Sequence, residues 1–162
     1  MPRENAIIRM RARSDWQQLL QGDLSRHALM SFHARYKYQL MANNPSQYRV
    51  LGKLLGSMGR SDATELGPRY FSLLMNALNR CATRGNHANV LLHLSGYLRH
   101  SINAQDKQEI RQLIEAYRQG AIPLAAPIDL LKHHFEQHPD PYVLQQVYLQ
   151  PHPEAPGPRN AL

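Results

Sequence analysis

The chain has 162 residues, one cysteine and a net charge of +7. A single thiol excludes an internal disulfide and, within one copy, a cysteine-ligated zinc or iron–sulfur centre. No segment approaches the roughly 18 consecutive apolar residues that a membrane-spanning helix needs, and no signal-peptide core is present near the start. We therefore expect one cytoplasmic domain that contacts no membrane.

The positive charge is concentrated in the first half of the sequence. Residues 1–84 hold thirteen Lys and Arg against five Asp and Glu, a net +8, whereas residues 85–162 hold six against seven, a net −1. Between Asp23 and Asp62 there is no acidic residue. Such asymmetry favours a polyanionic partner, with nucleic acid ahead of anionic membrane. The alternative is a generically basic, solvated surface.

In chain order, the pattern predicts a flexible basic arm over residues 1–13, a helical domain over 14–150 and an extended Pro-rich tail over 151–162. Apolar spacing in the domain is helical nearly throughout. Proline, glycine and Asp or Asn caps mark the helix ends. The predicted fold is all-α, a single irregular bundle of about six to eight helices. The expected helices span 15–21, 23–43, 45–58, 62–83, 86–100, 103–120, 123 or 127 to 137, and 141–149.

The predicted helix 23–43 carries two unexpected side chains on its apolar stripe. His33 and Lys37 lie one turn apart in the arc expected to face the core. Either Lys37 extends its ammonium to a groove edge, or both residues form a pocket for a phosphate or an acidic group. Tyr36 is expected in the core. Tyr38, on the opposite side, is the better candidate for stacking on a base.

The predicted helix 86–100 has a polar border of Asn89, His93, Gly96 and His100, beside an apolar face that includes Tyr97. This border is either a hydrogen-bonded seam between helices or part of a site. If it is a site, the candidate pocket combines residues of both helices: His33, Lys37, Asn89, His93 and Tyr97.

Metal and thiol chemistry find little support in the sequence. His133, His134 and His138 cluster near a helix end, but Glu136 does not share their face. We expect no metal site and no cofactor. Cys81 lies in an apolar helical stretch and is expected to be a small buried side chain.

Five stretches, in order along the chain, resemble the YbgA-like family, a helical domain of unknown function. They are FHARYKYQLM at 32–41, YRVLG at 48–52, HANVL at 87–91 with His93, Gly96 and Tyr97, YRQGAIPL at 117–124, and QVYLQPHP at 146–153.

The resemblance implies a setting rather than a reaction. Domains of this family occur alone, often encoded beside a DNA photolyase, or fused behind a thiouracil-desulfidase domain similar to enzymes that act on 4-thiouridine in tRNA. A desulfidase needs a cysteine-held cluster, which Cys81 alone cannot supply. The resemblance therefore implies a domain that binds tRNA and whose role is linked to thiouridine or UV-related metabolism.

The leading hypothesis is a stand-alone RNA-binding domain, with tRNA the expected target and no catalysis of its own. Its expected nucleic-acid contacts are Arg35, Lys37, Tyr38, Arg49, Lys53 and Arg60. One alternative is a small enzyme that uses the pocket of Lys37, His33, Asn89 and His93. Another is an adaptor that docks a desulfidase or photolyase through an exposed apolar patch.

Overall fold

A computed structural model describes residues 2–59 and 62–151. Over these ranges the chain forms eight α-helices and two short 3₁₀ turns, with no strand, so the predicted all-α bundle is confirmed. The α-helices are α1 (Pro2–Leu20), α2 (Arg26–Asn43), α3 (Pro45–Gly56), α4 (Ala63–Leu78), α5 (Arg84–Ser95), α6 (Ala104–Arg118), α7 (Ala125–Gln137) and α8 (Pro141–Leu144). The 3₁₀ turns are Gly96–Leu98 and Val147–Leu149.

Short polar residues set most of the helix starts. The side chains of Ser25, Thr83 and Asn103 each accept a hydrogen bond from the backbone N–H three residues later, at 2.8–3.1 Å. Each therefore satisfies one of the free amides of the first turn. Asn44 caps α3 in the same way, immediately before Pro45 at its first position.

The first helix is much longer than the sequence predicted. It begins at Pro2, and Ile8, Ala12 and Trp16 are 2%, 0% and 6% exposed on one face of it. The prediction of a weakly ordered arm is therefore wrong for residues 2–13, which pack into the bundle. The predicted tail lies outside the described residues from 152 onward.

Helix α2 runs through the middle of the bundle and is covered on two sides. It packs against α3 and α4 on one side, and against α5 and the turn Val147–Leu149 on the other. Phe32, Tyr36 and Leu40 belong to the first core cluster, whereas Tyr38 and Ala42 belong to the second. A helix buried on both sides has apolar residues nearly all round, which is why its sequence shows a wide apolar arc.

The loop after α4 also differs from its prediction. Helix α4 ends at Leu78, five residues before the expected end, and Cys81 is exposed rather than buried. The buried Asn43 holds this loop, because its side-chain amide donates to the Arg80 carbonyl at 2.7 Å. No helix in the described part of the chain is both long and apolar enough to span a membrane.

Candidate nucleic-acid interface

His33 is buried beside the two tyrosines that hold it. Its Nδ1 lies 3.0 Å from the Tyr70 hydroxyl, and its ring stacks on Tyr48 with centroids 5.4 Å apart and planes at 12°. Burial lowers the pKa of His33 to about 4, so the imidazole is neutral at pH 7. Burial also raises the pKa of Tyr70, which remains a protonated hydrogen-bond donor. The arrangement gives His33 a structural role in the first core cluster.

Lys37 and Tyr38 form a pair on the neighbouring face of α2. The Lys37 ammonium lies 5.2 Å from the centroid of the Tyr38 ring, within cation–π range. The ring is only 2% exposed, because α5 covers the side of α2 that was expected to face solvent. The prediction that Tyr38 stacks on a base is therefore wrong.

The Tyr38 hydroxyl instead donates to the hydroxyl of Tyr97, at 3.2 Å. Tyr97 is 39% exposed and stacks on Tyr142, with centroids 6.0 Å apart. Burial raises the pKa of Tyr142, and the neighbouring hydroxyls of Tyr97 and Tyr48 raise it further. Tyr38, Tyr97 and Tyr142 thus form one cluster of tyrosines, with the exposed ring of Tyr97 at its surface.

The exposed ring lines an open cleft of about 400 Å³, which we call the Tyr97 cleft. Gly96 lines the cleft without a side chain, and a Cβ there would meet no other atom within 4 Å. A larger residue at this position would therefore occupy cleft space. On one side of the cleft, Arg99 Nε donates a hydrogen bond to His100 Nε2 at 3.1 Å. The lining residues are His93, Gly96, Tyr97, Arg99 and His100.

The sequence located this cleft only in part. His93, Gly96 and His100 come from the polar border predicted on one helix, although a 3₁₀ turn replaces its last part. Arg99 was missed because it falls outside that border. Tyr142, which stacks on Tyr97 from α8, was missed because it lies far along the chain and carries no local signal.

The single pocket predicted from His33, Lys37, Asn89 and His93 is not found among the described residues. His93 lines the Tyr97 cleft, but His33 lies between Tyr70 and Tyr48, in contact with the first core cluster. Asn89 is exposed on α5 and does not line the cleft. Lys37 contacts the ring of Tyr38, and it is not among the residues that line the Tyr97 cleft.

The predicted phosphate contacts have different environments. Arg35 is held in an ion pair with the buried Asp15, at 3.2 Å, so its charge is already engaged within the fold. Arg49 and Lys53 are exposed one turn apart on α3, and their side chains form no ion pair or hydrogen bond with another described residue. Arg60 lies outside the described residues.

Metal chemistry has no obvious centre in the described part of the chain. There, no three His, Cys, Asp or Glu side chains come close enough together to hold a metal ion. The Tyr97 cleft instead offers an aromatic ring, from Tyr97, and a cation, from Arg99. These contacts suit a ligand with planar rings and negative charge.

Fold and cleft together define a small helical protein with an aromatic cleft beside exposed cations. The chain belongs to the DUF1722 family, described as a protein of unknown function, whose model matches residues 37–153. It is similar to the uncharacterized protein YbgA of Escherichia coli (strain K12), with 30% identity over 148 residues. That alignment covers 91% of this chain and 88% of the relative. No solved structure matches.

Proposed function

We propose that this protein binds RNA, with tRNA as the target, through the Tyr97 cleft and the exposed face of α3. The observation that carries the proposal is the Tyr97 ring, exposed in a cleft whose other side chains are His93, Arg99 and His100. Base stacking on an aromatic ring combined with cations for the backbone is how proteins bind unpaired nucleotides.

The charge pattern of α2 and α3 supports the same proposal. Neither helix contains an acidic residue, and the only described acid paired with their cations is Asp15, which engages Arg35. Arg49 and Lys53 follow Tyr48, whose hydroxyl lies near enough to Tyr142, the ring stacked on Tyr97, to raise its pKa. The proposal places the backbone of an RNA strand whose base stacks on Tyr97 along these two cations, which no described carboxylate neutralises.

The choice of tRNA depends on the family resemblance. Domains of this kind are fused behind desulfidases similar to those that act on thiolated uridine in tRNA, and a helical domain there would hold the substrate. Neither alternative has a comparable observation behind it. The enzyme hypothesis needs four residues in one pocket, but His33 is held in the first core cluster, away from the cleft that His93 lines. For an adaptor, the described large exposed aliphatic side chains come from four different helices: Met10, Leu20, Met30, Val50 and Leu92.

The test is the salt dependence of tRNA binding, measured by fluorescence anisotropy with an unmodified transcript. The logarithm of affinity should fall with the logarithm of salt concentration by about 0.7 to 0.9 per neutralised phosphate. The double variant R49Q/K53Q should lose affinity and flatten the slope by about 1.5. Its matched control is K107Q/R111Q, which removes the same charge at the same spacing from α6.

Three results would overturn the proposal. The first is absence of tRNA binding at low salt, and the second is an affinity that salt does not change. The third is an equal loss of affinity in both double variants, which would mean that net charge alone attracts RNA to the surface.

A further inference from the structure

The ring of Tyr97 has one face left for a ligand. Among the described Phe, Trp and Tyr side chains, Tyr97 alone is exposed. Its other face is occupied by Tyr142, whose ring stacks on it with centroids 6.0 Å apart and planes at 26°. A planar ring has two faces, so this position has room for one base. The Tyr97 cleft therefore suits a single nucleotide rather than a run of stacked bases.

Unused hydrogen-bond donors lie beside this ring. Arg99 Nε donates to His100 Nε2, but the two Nη atoms of Arg99 form no hydrogen bond or ion pair with a described residue. Because His100 Nε2 accepts a hydrogen bond, the ring proton lies on Nδ1, which donates to no described residue. A guanidinium binds phosphate oxygens through charge-assisted hydrogen bonds. The cleft therefore presents a phosphate-binding group next to an aromatic ring.

The lining of the cleft contains no carboxylate that would repel a phosphate. The sequence between Glu65 and Asp106, which includes all five lining residues, has no Asp or Glu. Asp140, two residues before Tyr142, accepts hydrogen bonds from two backbone N–H groups of α8. An anion bound to Arg99 is therefore opposed by no carboxylate of the cleft itself.

The size of the cleft also fits one nucleotide. Its volume of about 400 Å³ lies near the lower end of the range for small-ligand pockets, roughly 300–1,000 Å³. A base inside an RNA duplex is covered on both faces by its neighbours, so it cannot stack on Tyr97 without leaving the helix. The nucleotide that enters the cleft must therefore be unpaired.

We propose that the Tyr97 cleft is a subsite for one unpaired nucleotide, with the base on the free face of Tyr97 and the phosphate on Arg99 and His100. This inference rests on the proposed RNA binding, and it specifies the RNA element that is recognised: a loop or an end, and not a stem. It also gives the cleft affinity for a free nucleoside monophosphate, which carries both the base and the phosphate.

The test uses three related probes: adenosine 5′-monophosphate, adenosine, which lacks the phosphate, and ribose 5-phosphate, which lacks the base. Each is titrated into the ¹⁵N-labelled full chain, and the amide shifts of residues 93–100 are followed. The monophosphate should bind about ten-fold more tightly than either part. Tyr97→Ala should weaken the monophosphate about ten-fold and leave ribose 5-phosphate unchanged. Arg99→Gln should weaken the monophosphate to the level of adenosine and leave adenosine unchanged.

Arg111→Gln is the matched control, since it removes an exposed arginine from α6 and should leave all three affinities unchanged. The proposal fails if the monophosphate causes no shift in the cleft, or binds no more tightly than adenosine or ribose 5-phosphate. It also fails if Arg99→Gln weakens adenosine as much as the monophosphate, because the arginine would then not bind the phosphate.

A second measurement separates this inference from the RNA proposal. In anisotropy competition against bound tRNA, a single-stranded oligoadenylate should compete about ten-fold better than an RNA duplex of the same length. Equal competition by strand and duplex would refute the subsite and leave salt-dependent tRNA binding intact. Conversely, nucleotide shifts confined to the cleft, together with no tRNA binding, would refute the RNA proposal and keep the cleft as a nucleotide site.

Discussion

The buried hydroxyl of Tyr38 donates a hydrogen bond to the exposed Tyr97, 3.2 Å away, and so ties the central helix to the rim of the cleft. Tyr38 is 2% exposed and Tyr97 is 39% exposed. The inner ring cannot contact a nucleotide itself. Two contacts therefore fix the orientation of the Tyr97 ring: the hydrogen bond from Tyr38 and the stacking of Tyr142.

Replacing Tyr97 should therefore separate stacking from hydrogen bonding. Tyr97→Ala should weaken tRNA binding about ten-fold, since stacking contributes about 1–3 kcal/mol per base. Tyr97→Phe keeps the ring and should retain most of the affinity. Anisotropy titrations measure both variants, and Leu92→Ala, which trims an exposed side chain of α5, is the control. An alanine variant that binds like the parent would remove Tyr97 from the interface.

Filling the cleft should block binding without unfolding the protein. A side chain at Gly96 would enter open space, since no atom lies within 4 Å of the Cβ position. Gly96→Leu should therefore reduce tRNA affinity by about ten-fold at unchanged melting temperature, by displacing the base from Tyr97. Full affinity in this variant would show that RNA passes elsewhere.

Asp15 should be a major source of stability. Its Oδ2 accepts from Arg11 at 2.9 Å, from Arg35 at 3.2 Å and from the Tyr36 hydroxyl at 2.7 Å. Asp15→Asn leaves two partly buried guanidinium groups without their carboxylate. The expected loss is about 2 kcal/mol in the free energy of unfolding, below the value for a fully buried pair because Arg35 is partly exposed.

The control for Asp15 is the exposed pair of Glu115 and Arg118 on α6, at 2.8 Å. Glu115→Gln should change the free energy of unfolding much less than Asp15→Asn does, because water screens the exposed pair. Urea denaturation measures both variants. Equal losses would contradict a special role for Asp15.

The protein should lose stability as the solution is acidified below neutrality. Burial lowers the pKa of His33 from 6.5 to about 4, and burial also lowers the pKa of His87. Between those pH values the unfolded chain binds a proton that the folded chain excludes, so the stabilisation is complete above pH 6.5 and declines below it. The His33 contribution lost by pH 5 is about 2 kcal/mol.

His33→Gln should remove that part of the pH dependence, as measured by urea denaturation at pH 7.5 and pH 5. His27→Gln, at an exposed position on the same helix, should keep the full dependence. The same pH dependence in both variants would show that His33 is not the group responsible.

Two glycine-to-alanine changes should act in opposite directions. Gly120 ends the α6 region with φ +83°, and a Cβ there would lie 3.1 Å from Arg84 Nη1, so alanine should destabilise by about 1–2 kcal/mol. Gly52 lies inside α3, where a Cβ would meet His33 Nε2 at an ordinary 3.9 Å. Gly52→Ala should stabilise by about 0.5–1 kcal/mol. Thermal denaturation measures the direction of the stability change in both variants. An unchanged melting temperature for Gly120→Ala would contradict the expected backbone strain at that position.

Local chemistry predicted the fold better than the site. Asn and Asp caps, prolines at first turns and Gly120 located most helices, because such signals act within a few residues. The N-terminal half of α1 was missed, since Ile8, Ala12 and Trp16 form a narrow apolar face among several arginines. Ala12 contributes little to a hydrophobic pattern, yet it is fully buried in the first core cluster.

The errors at the site have one physical origin. Helical periodicity shows which residues share a face, but it does not show whether a second layer covers the opposite face. Tyr38 was expected to be exposed because Tyr36 faces the core, whereas α2 is buried on both sides. Likewise, the carboxylate that pairs with Arg35 lies twenty residues away in the sequence, on another helix.

The hydrogen bond from Arg11 to the carbonyl of Gln150, at 2.8 Å, spans 139 positions of the chain. During synthesis on the ribosome, this bond and the packing of Val147 in the first cluster cannot form until the last helical turn has emerged. The apolar face of α1 packs through Trp16 on Phe32 and Phe71, which are synthesised much earlier. The first core cluster can therefore assemble around α1 before the contacts of Val147 and Gln150 close it.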